Sequence, residues 1–109
     1  MKLVVAVIQD KDSGKLLEAL VEHNFKATKL ASTGGFLKSG NTTVLVGVED
    51  DKTQQVVSII KKVCKAREKT VTTMSPIGGA VESYVPYPVE VVIGGATIFV
   101  LDVAQFEKA

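Results

Sequence analysis

The alternation of apolar and polar positions divides the chain into segments that predict six strands and two helices. Leu3-Val4-Val5-Ala6-Val7-Ile8 is short, apolar and β-branched, which predicts a strand buried on both faces. Asp10 and Asp12 follow as N-cap candidates. Leu16, Leu17, Leu20 and Val21 then recur at helical spacing, with Lys15, Glu18 and Glu22 on the other side, and predict a helix over about 12–23. Phe25 to Leu30 alternates with the period of a half-buried strand. Ser32 to Gly40, broken by Gly34, Gly35 and Gly40, predicts a loop, and Thr42 to Val48 the next strand. Asp50 or Asp51 is placed to cap a second helix whose apolar face is Val56, Val57, Ile60, Val63 and Cys64. Lys61, Lys62 and Lys65 lie near its C-terminal end, where positive charge complements the helix dipole. Thr70 to Met74 reads as a strand. Ser75 to Pro88 carries Pro76, Gly78, Gly79, Tyr84, Pro86, Tyr87 and Pro88 and predicts a loop of about 14 residues, a length that is usually functional or disordered. Val89 to Ile93, Gly94-Gly95 and Ala96 to Leu101 predict a hairpin with a tight Gly-Gly turn.

The order is βαββαβ followed by a hairpin. It predicts an α+β fold in one domain over 1–109, a ferredoxin-like antiparallel sheet with both helices on one face and an extra C-terminal β-hairpin. Leu3–Ile8 and Val44–Val48 are apolar on both faces, yet too little chain remains to cover the face the helices leave open. Oligomerisation through the sheet is the simplest expectation.

Composition narrows the class. The 109 residues suit one domain, and 46% hydrophobic with 23% charged residues is ordinary globular usage. A domain of this size needs no disulfide to fold. A single cysteine and an N-terminus whose apolar run stops at Gln9 and Asp10 lead to the expectation of a cytoplasmic protein with no membrane segment. The net charge of +1, with Lys and Arg scattered among Asp and Glu, argues against binding a nucleic-acid polymer but leaves a small anionic ligand open.

Catalytic and metal motifs are absent: there is no phosphate-binding G-x-x-x-x-G-K, no C-x-x-C, no H-E-x-x-H and no G-x-S-x-G. His23, the single histidine, reads as a helix-terminal surface residue, and Cys64 as core packing. The informative segment is 24–43. Asn24, Lys26 and Thr28 are spaced by two and would share one strand face. Lys26 offers a charge for a phosphate, and Gly34-Gly35 lets backbone N–H groups approach a ligand. Phe36 and Leu37 follow at the loop tip, where an aromatic can stack on a base. Asn41 can pair with two polar edges of a purine. The plainer alternative is that Phe36 and Leu37 are interface packing, Lys26 is solvated, and both asparagines are turn residues.

The stretch Asn24-x-Lys-x-Thr-Lys-Leu-Ala-Ser-Thr-Gly-Gly-Phe-Leu-Lys-x-Gly-Asn-Thr-Thr resembles the signature of the PII-like cyclic di-AMP receptors, the PstA/DarA family. Ser83-Tyr-Val-Pro-Tyr-Pro-Val-Glu-Val and Gly94-Gly-Ala-Thr-Ile-Phe-Val-Leu are similar too, so that the resemblance runs from residue 1 to about 106. It implies a non-enzymatic signal-transduction protein, a homotrimer with cyclic di-AMP sites at the subunit interfaces and no cofactor. Asn24, Lys26 and Thr28 would line the site from the second strand; Gly35, Phe36, Leu37 and Asn41 from the loop; Gly47 from the third strand. Phe36 is expected near an adenine and Lys26 near a phosphate. Family members commonly have arginine at that position; lysine keeps the charge but loses the planar two-pronged donor. The resemblance further implies that ligand orders loops for an unidentified downstream protein. The 75–88 loop would be the mobile element, with Tyr84 and Tyr87 as contact points.

The alternative is a nitrogen-type PII regulator binding ATP or ADP. It would carry a long loop between the second and third strands, where this chain has only about residues 32–40. An enzyme on the same fold would need a catalytic histidine or an arginine in a phosphate loop, and Arg67 is the single arginine. A metal-tolerance trimer would need more ligands than one His and one Cys.

Overall fold

The computed structural model describes residues 1–30, 40–76 and 84–109. In chain order the elements are β1 (Lys2–Gln9), α1 (Asp10–Glu22), β2 (Ala27–Leu30), β3 (Asn41–Val48), a short 3-10 turn at Asp50–Lys52, α2 (Thr53–Val63), β4 (Arg67–Pro76), β5 (Tyr84–Ile93) and β6 (Ala96–Asp102). Four strands form an antiparallel sheet in the order β2-β3-β1-β6, and β4 pairs with β5 in a separate two-stranded ribbon. This is an α+β arrangement compatible with the ferredoxin-like βαββαβ pattern, with β6 rather than β4 as the last strand of the sheet.

The core lies between the sheet and the two helices. Val4, Ala6 and Ile8 of β1 and Val44, Val46 and Val48 of β3 alternate with less buried neighbours. They pack with Leu16 and Leu20 of α1 and with Val56, Ile60 and Cys64 from α2 and its end. The period-2 and period-3.6 patterns therefore converge on one apolar layer. The opposite sheet face carries Leu3, Val5 and Val7 in register with Leu101, Phe99 and Thr97 on one side and with Gly47, Leu45 and Thr43 on the other. Phe99 and Leu101 are about half exposed, and Leu30 of β2 joins the same face opposite Thr43. β1 is thus fully buried on one face and only part-buried on the other among the described residues.

The expected C-terminal hairpin is not formed. β5 pairs with β4, while β6 returns to pair with β1 from Lys2↔Asp102 to Ile8↔Ala96. Gly94 and Gly95 have φ of +79° and +93°, so they act as a turn, but one that passes the chain from ribbon to sheet. A Cβ on Gly94 would lie 2.5 Å from Nη1 of Arg67 and 2.7 Å from the Lys65 carbonyl oxygen, so close approach as well as φ demands glycine there.

Of the expected loop at Ser75–Pro88, residues 77–83 lie outside the described residues and the rest are in strands. Ser75 and Pro76 extend β4, and Tyr84 to Pro88 belong to β5, opposite Pro76 to Thr72. Tyr84 and Tyr87 are ladder residues of β5, opposite Pro76 and Thr73. Pro86 and Pro88 are two residues apart, so their nitrogens face the same edge. A two-stranded ribbon has an outer edge on each strand, where a missing N–H costs no ladder bond.

Two capping expectations also change. α1 starts at Asp10, with Gln9 as N-cap, so Asp10 and Asp12 sit inside the first turn, where negative charge still suits the dipole. The Ser13 hydroxyl donates to the Asp10 carbonyl at 2.7 Å. Glu49 and Lys52, not Asp50 or Asp51, precede the 3-10 turn and α2, and the Thr53 hydroxyl donates to the Glu49 carbonyl.

Replacing Leu16 or Ile60 by alanine should each cost about 2–5 kcal/mol in urea unfolding, the range for buried large-to-small changes. Val21→Ala, on the exposed side of α1, should leave the urea midpoint nearly unchanged. Equal losses at all three sites would contradict the observed core. Cys64 is 1% exposed, and desolvation foremost, then the nearby Asp12 charge, push its thiol up to about 11. The native protein should therefore resist thiol reagents at pH 8 and label once unfolded in denaturant; fast native labelling would remove Cys64 from the core.

Candidate functional site

The described candidate residues fall into two groups on the sheet. At one end, Thr28 of β2 lies opposite Leu45, on the face away from the helices. Lys26 immediately precedes this ladder, outside the strand. Gly47 is exposed and a Cβ there would meet nothing within 4 Å, so the open face has a shallow gap beside Leu3. Lys26 and Thr28 are exposed beside it. The strand begins at Ala27, so Asn24 and Lys26 precede it rather than sharing its face as the spacing predicted. Asn24 has φ of +64°, and its N–H donates to the Val21 carbonyl at 2.9 Å. It is the left-handed residue that terminates α1 after His23, a role asparagine tolerates well. His23 is exposed, with Nδ1 2.8 Å from the Ala19 carbonyl oxygen.

At the other end, Asn41 opens β3 opposite Gln9. It lines a cavity of about 280 Å³ with Gln9, Gly94, Gly95 and Thr97. Asn41 and Gly47 are six residues apart on one strand, which places the two groups roughly 20 Å apart. A larger groove of about 550 Å³ runs outside the helices between Lys15, His23, Gln55 and Lys62, and none of the described candidate residues lines it. Gly35, Phe36 and Leu37 lie outside the described residues, as do Gly34 and the remainder of 31–39.

Asp10 organises the chain beside Asn41. Its backbone N–H donates to the Gly40 carbonyl at 2.6 Å, its Oδ1 accepts the Thr42 hydroxyl at 2.5 Å, and Lys29 Nζ lies 3.5 Å from the same oxygen. The Thr42 hydroxyl foremost, then the Lys29 charge, hold the Asp10 carboxyl below its ordinary range. One carboxylate thereby joins the end of β2 to the start of β3, the two strands that flank residues 31–39.

The ion pair between Asp12 and Arg67 had no signature in the sequence. Arg67 Nη2 donates to Asp12 Oδ1 at 2.9 Å, Arg67 Nη1 donates to the Lys65 carbonyl at 2.9 Å, and the Asp12 side chain is 5% exposed. The hydrogen bond to Asp12 holds the Arg67 guanidinium even more firmly protonated than usual. The partners are 55 residues apart.

Among the described residues, no three His, Cys, Asp or Glu side chains come together as a metal site, and no helix is long and apolar enough to cross a membrane. The described geometry offers polar and cationic side chains beside an open apolar sheet face, a setting that suits an anion with apolar parts.

Comparison with known proteins agrees with this reading of the residues. A solved structure described as a functionally unknown protein from Pediococcus pentosaceus ATCC 25745 is 44% identical, matches over 99% of this chain and 96% of its own, and superposes with a TM-score of 0.76. The family model described as "cyclic-di-AMP receptor" matches residues 1–109, the whole length, and the chain therefore belongs to the cyclic-di-AMP receptor family.

Proposed function

We propose that this protein is a cyclic di-AMP-binding PII-like signal-transduction protein. It works in the cytoplasm without catalysis, as a homotrimer with ligand sites at the subunit interfaces. The family match over residues 1–109 carries the ligand assignment. The open sheet face supports assembly: Leu3, Val5, Val7, Leu30, Leu45, Phe99 and Leu101 share it, and a contiguous apolar face of this kind is normally covered by a partner. The separation of the two candidate groups supports interface sites. Lys26, Thr28 and Gly47 stand too far from Asn41 for one small ring to touch both. A ligand that uses them all must be extended, or must bind where two copies bring opposite ends together.

In this reading Lys26 neutralises a phosphate, Asn24 and Thr28 supply polar contacts, and Gly47 leaves room for the ligand on the sheet face. Asn41 reads a purine edge, and Gly35, Phe36 and Leu37 close over a base, with Phe36 stacking on it. The bound state is then read by a downstream protein.

Calorimetry should show cyclic di-AMP binding near one per subunit at micromolar or tighter affinity, with cyclic di-GMP, ATP and 2-oxoglutarate failing to compete. Binding of ATP without cyclic di-AMP would hand the site to a nitrogen-type regulator. Phe36→Ala and Asn41→Ala should weaken binding by about 1–3 kcal/mol each while light scattering still reports a trimer. Dissociation of the trimer in either variant would make these residues packing rather than ligand contacts. Lys26→Ala should weaken binding and flatten its salt dependence; an unchanged salt slope would take Lys26 off the phosphate.

A further inference from the structure

The β4–β5 ribbon has two unlike edges. Opposite residues in an antiparallel ladder alternate between pairs that exchange both backbone hydrogen bonds and pairs whose N–H and C=O groups point outward. Pro86 faces Met74 and Pro88 faces Thr72, and a proline nitrogen is accommodated where no ladder bond is needed. The even-numbered pairs are therefore the outward ones. Thr70, opposite Glu90, fits this parity. Its hydroxyl donates to the Glu90 carboxylate, as the closer approach of side chains in such pairs allows. On β5 the outward set is Pro86, Pro88, Glu90 and Val92, and the two prolines have no N–H to offer. On β4 it is Glu68, Thr70, Thr72 and Met74, and each has one. Proline guards a sheet edge against pairing, so β5 is guarded and β4 is not. Among the described residues no strand pairs with the β4 edge.

The two faces of the ribbon differ as well. Pro88, Glu90 and Val92 are exposed, while Val89, Val91 and Ile93 between them are half-buried. On β4, Val71 is half-buried opposite Val89, and Glu68, Thr70 and Thr72 are exposed. One face thus carries a stripe of branched aliphatics, with Lys69 beside Val91. The other is polar and acidic. Glu68 and Glu90 are diagonal neighbours on it, about 7–8 Å apart, and neither is in an ion pair among the described residues. A two-stranded ribbon is marginal by itself, and a third strand that shares its apolar face stabilises it.

We propose that the β4 edge is the docking site for an extended segment of a partner protein, which adds to the ribbon as a third strand. The outward N–H and C=O groups of Glu68, Thr70 and Thr72 supply the ladder. Side chains choose the segment. Basic residues at alternate positions meet Glu68 and, across β4, Glu90. Branched apolar residues between them extend the stripe that holds Val71 and Val89. The edge belongs to the ribbon alone and does not depend on the ligand assigned above.

Amide hydrogen exchange by NMR tests this on the full-length protein without cyclic di-AMP, so that either outcome leaves the receptor reading untouched. The probe is an end-blocked eight-residue peptide alternating lysine and valine. In the free protein the amides of Glu68, Thr70 and Thr72 should exchange faster than those of Lys69 and Val71. Saturating peptide should slow the first set by ~10-fold or more. No binding, or binding that leaves these amides fast, would overturn the proposal. So would amides of 68, 70 and 72 already slow in the free protein, because a second copy or another segment of the chain would then hold the edge. The same peptide with glutamate for lysine should not protect them, and Glu68→Lys should weaken the lysine peptide; equal protection by both peptides would overturn the assigned chemistry. Thr72→Pro removes one outward N–H and should lower affinity ~3-fold or more, the worth of one hydrogen bond, while Lys69 and Val71 stay slow. Should that variant disturb the ribbon, a lysine–valine peptide N-methylated at every residue leaves the protein intact. It keeps its side chains and charge but should lose binding, and full binding by it would overturn strand addition.

Discussion

Burial of alternate residues of β1 is the constraint on which the other elements depend. β1 pairs with β3 along one edge and with β6 along the other, and its even-numbered residues Val4, Ala6 and Ile8 sit beneath α1 and α2 at 0–1% exposure. A strand that is central and sealed on one face cannot slip by one residue without turning Leu3, Val5 and Val7 into the helix layer and its core residues out of it. Its register therefore sets where β3 starts, where β6 ends, and where the chain leaves the sheet at Gln9. The helices supply the other half of that core through Leu16, Leu20, Val56 and Ile60.

The same rigidity gives the β1–α1 junction its importance. A segment tied at one end into a buried strand and at the other into a helix is a firm platform. The chain uses it to anchor what is not packed into the core. Asp10 gathers Lys29, Gly40 and Thr42, while Gln9 and Asp12 gather Gly94 and Arg67. The ribbon's two proline positions and its self-pairing suit an element with outer edges that no strand pairs with among the described residues.

The open sheet face carries the complementary message. Its apolar side chains are ordered by the same β ladders as the core, yet they stay part-buried or exposed among the described residues. Gly47 leaves a gap in that face beside Lys26 and Thr28, and Asn41 lies at the far end of the same strand.

By itself the sequence determined both helices, the core-facing positions of β1, β3 and α2, the fate of Cys64 and His23, and the family, because periodicity, apolar spacing and a contiguous motif are local properties of a chain. The TGGFL segment was legible as a motif, although its geometry lies outside the described residues. Tertiary structure decided the rest. Whether Ala96–Asp102 pairs with its neighbour β5 or with β1 depends on which edge has apolar surface to cover, and β1 won that competition. Strand character in Tyr84–Pro88 was hidden because proline reads as a breaker until an outer edge is available to receive it. Asn24 looked like a strand residue until the end of α1 required a left-handed one. Asp12 and Arg67 meet only when the folded chain has brought the base of the ribbon to the start of α1, and no spacing rule spans 55 residues.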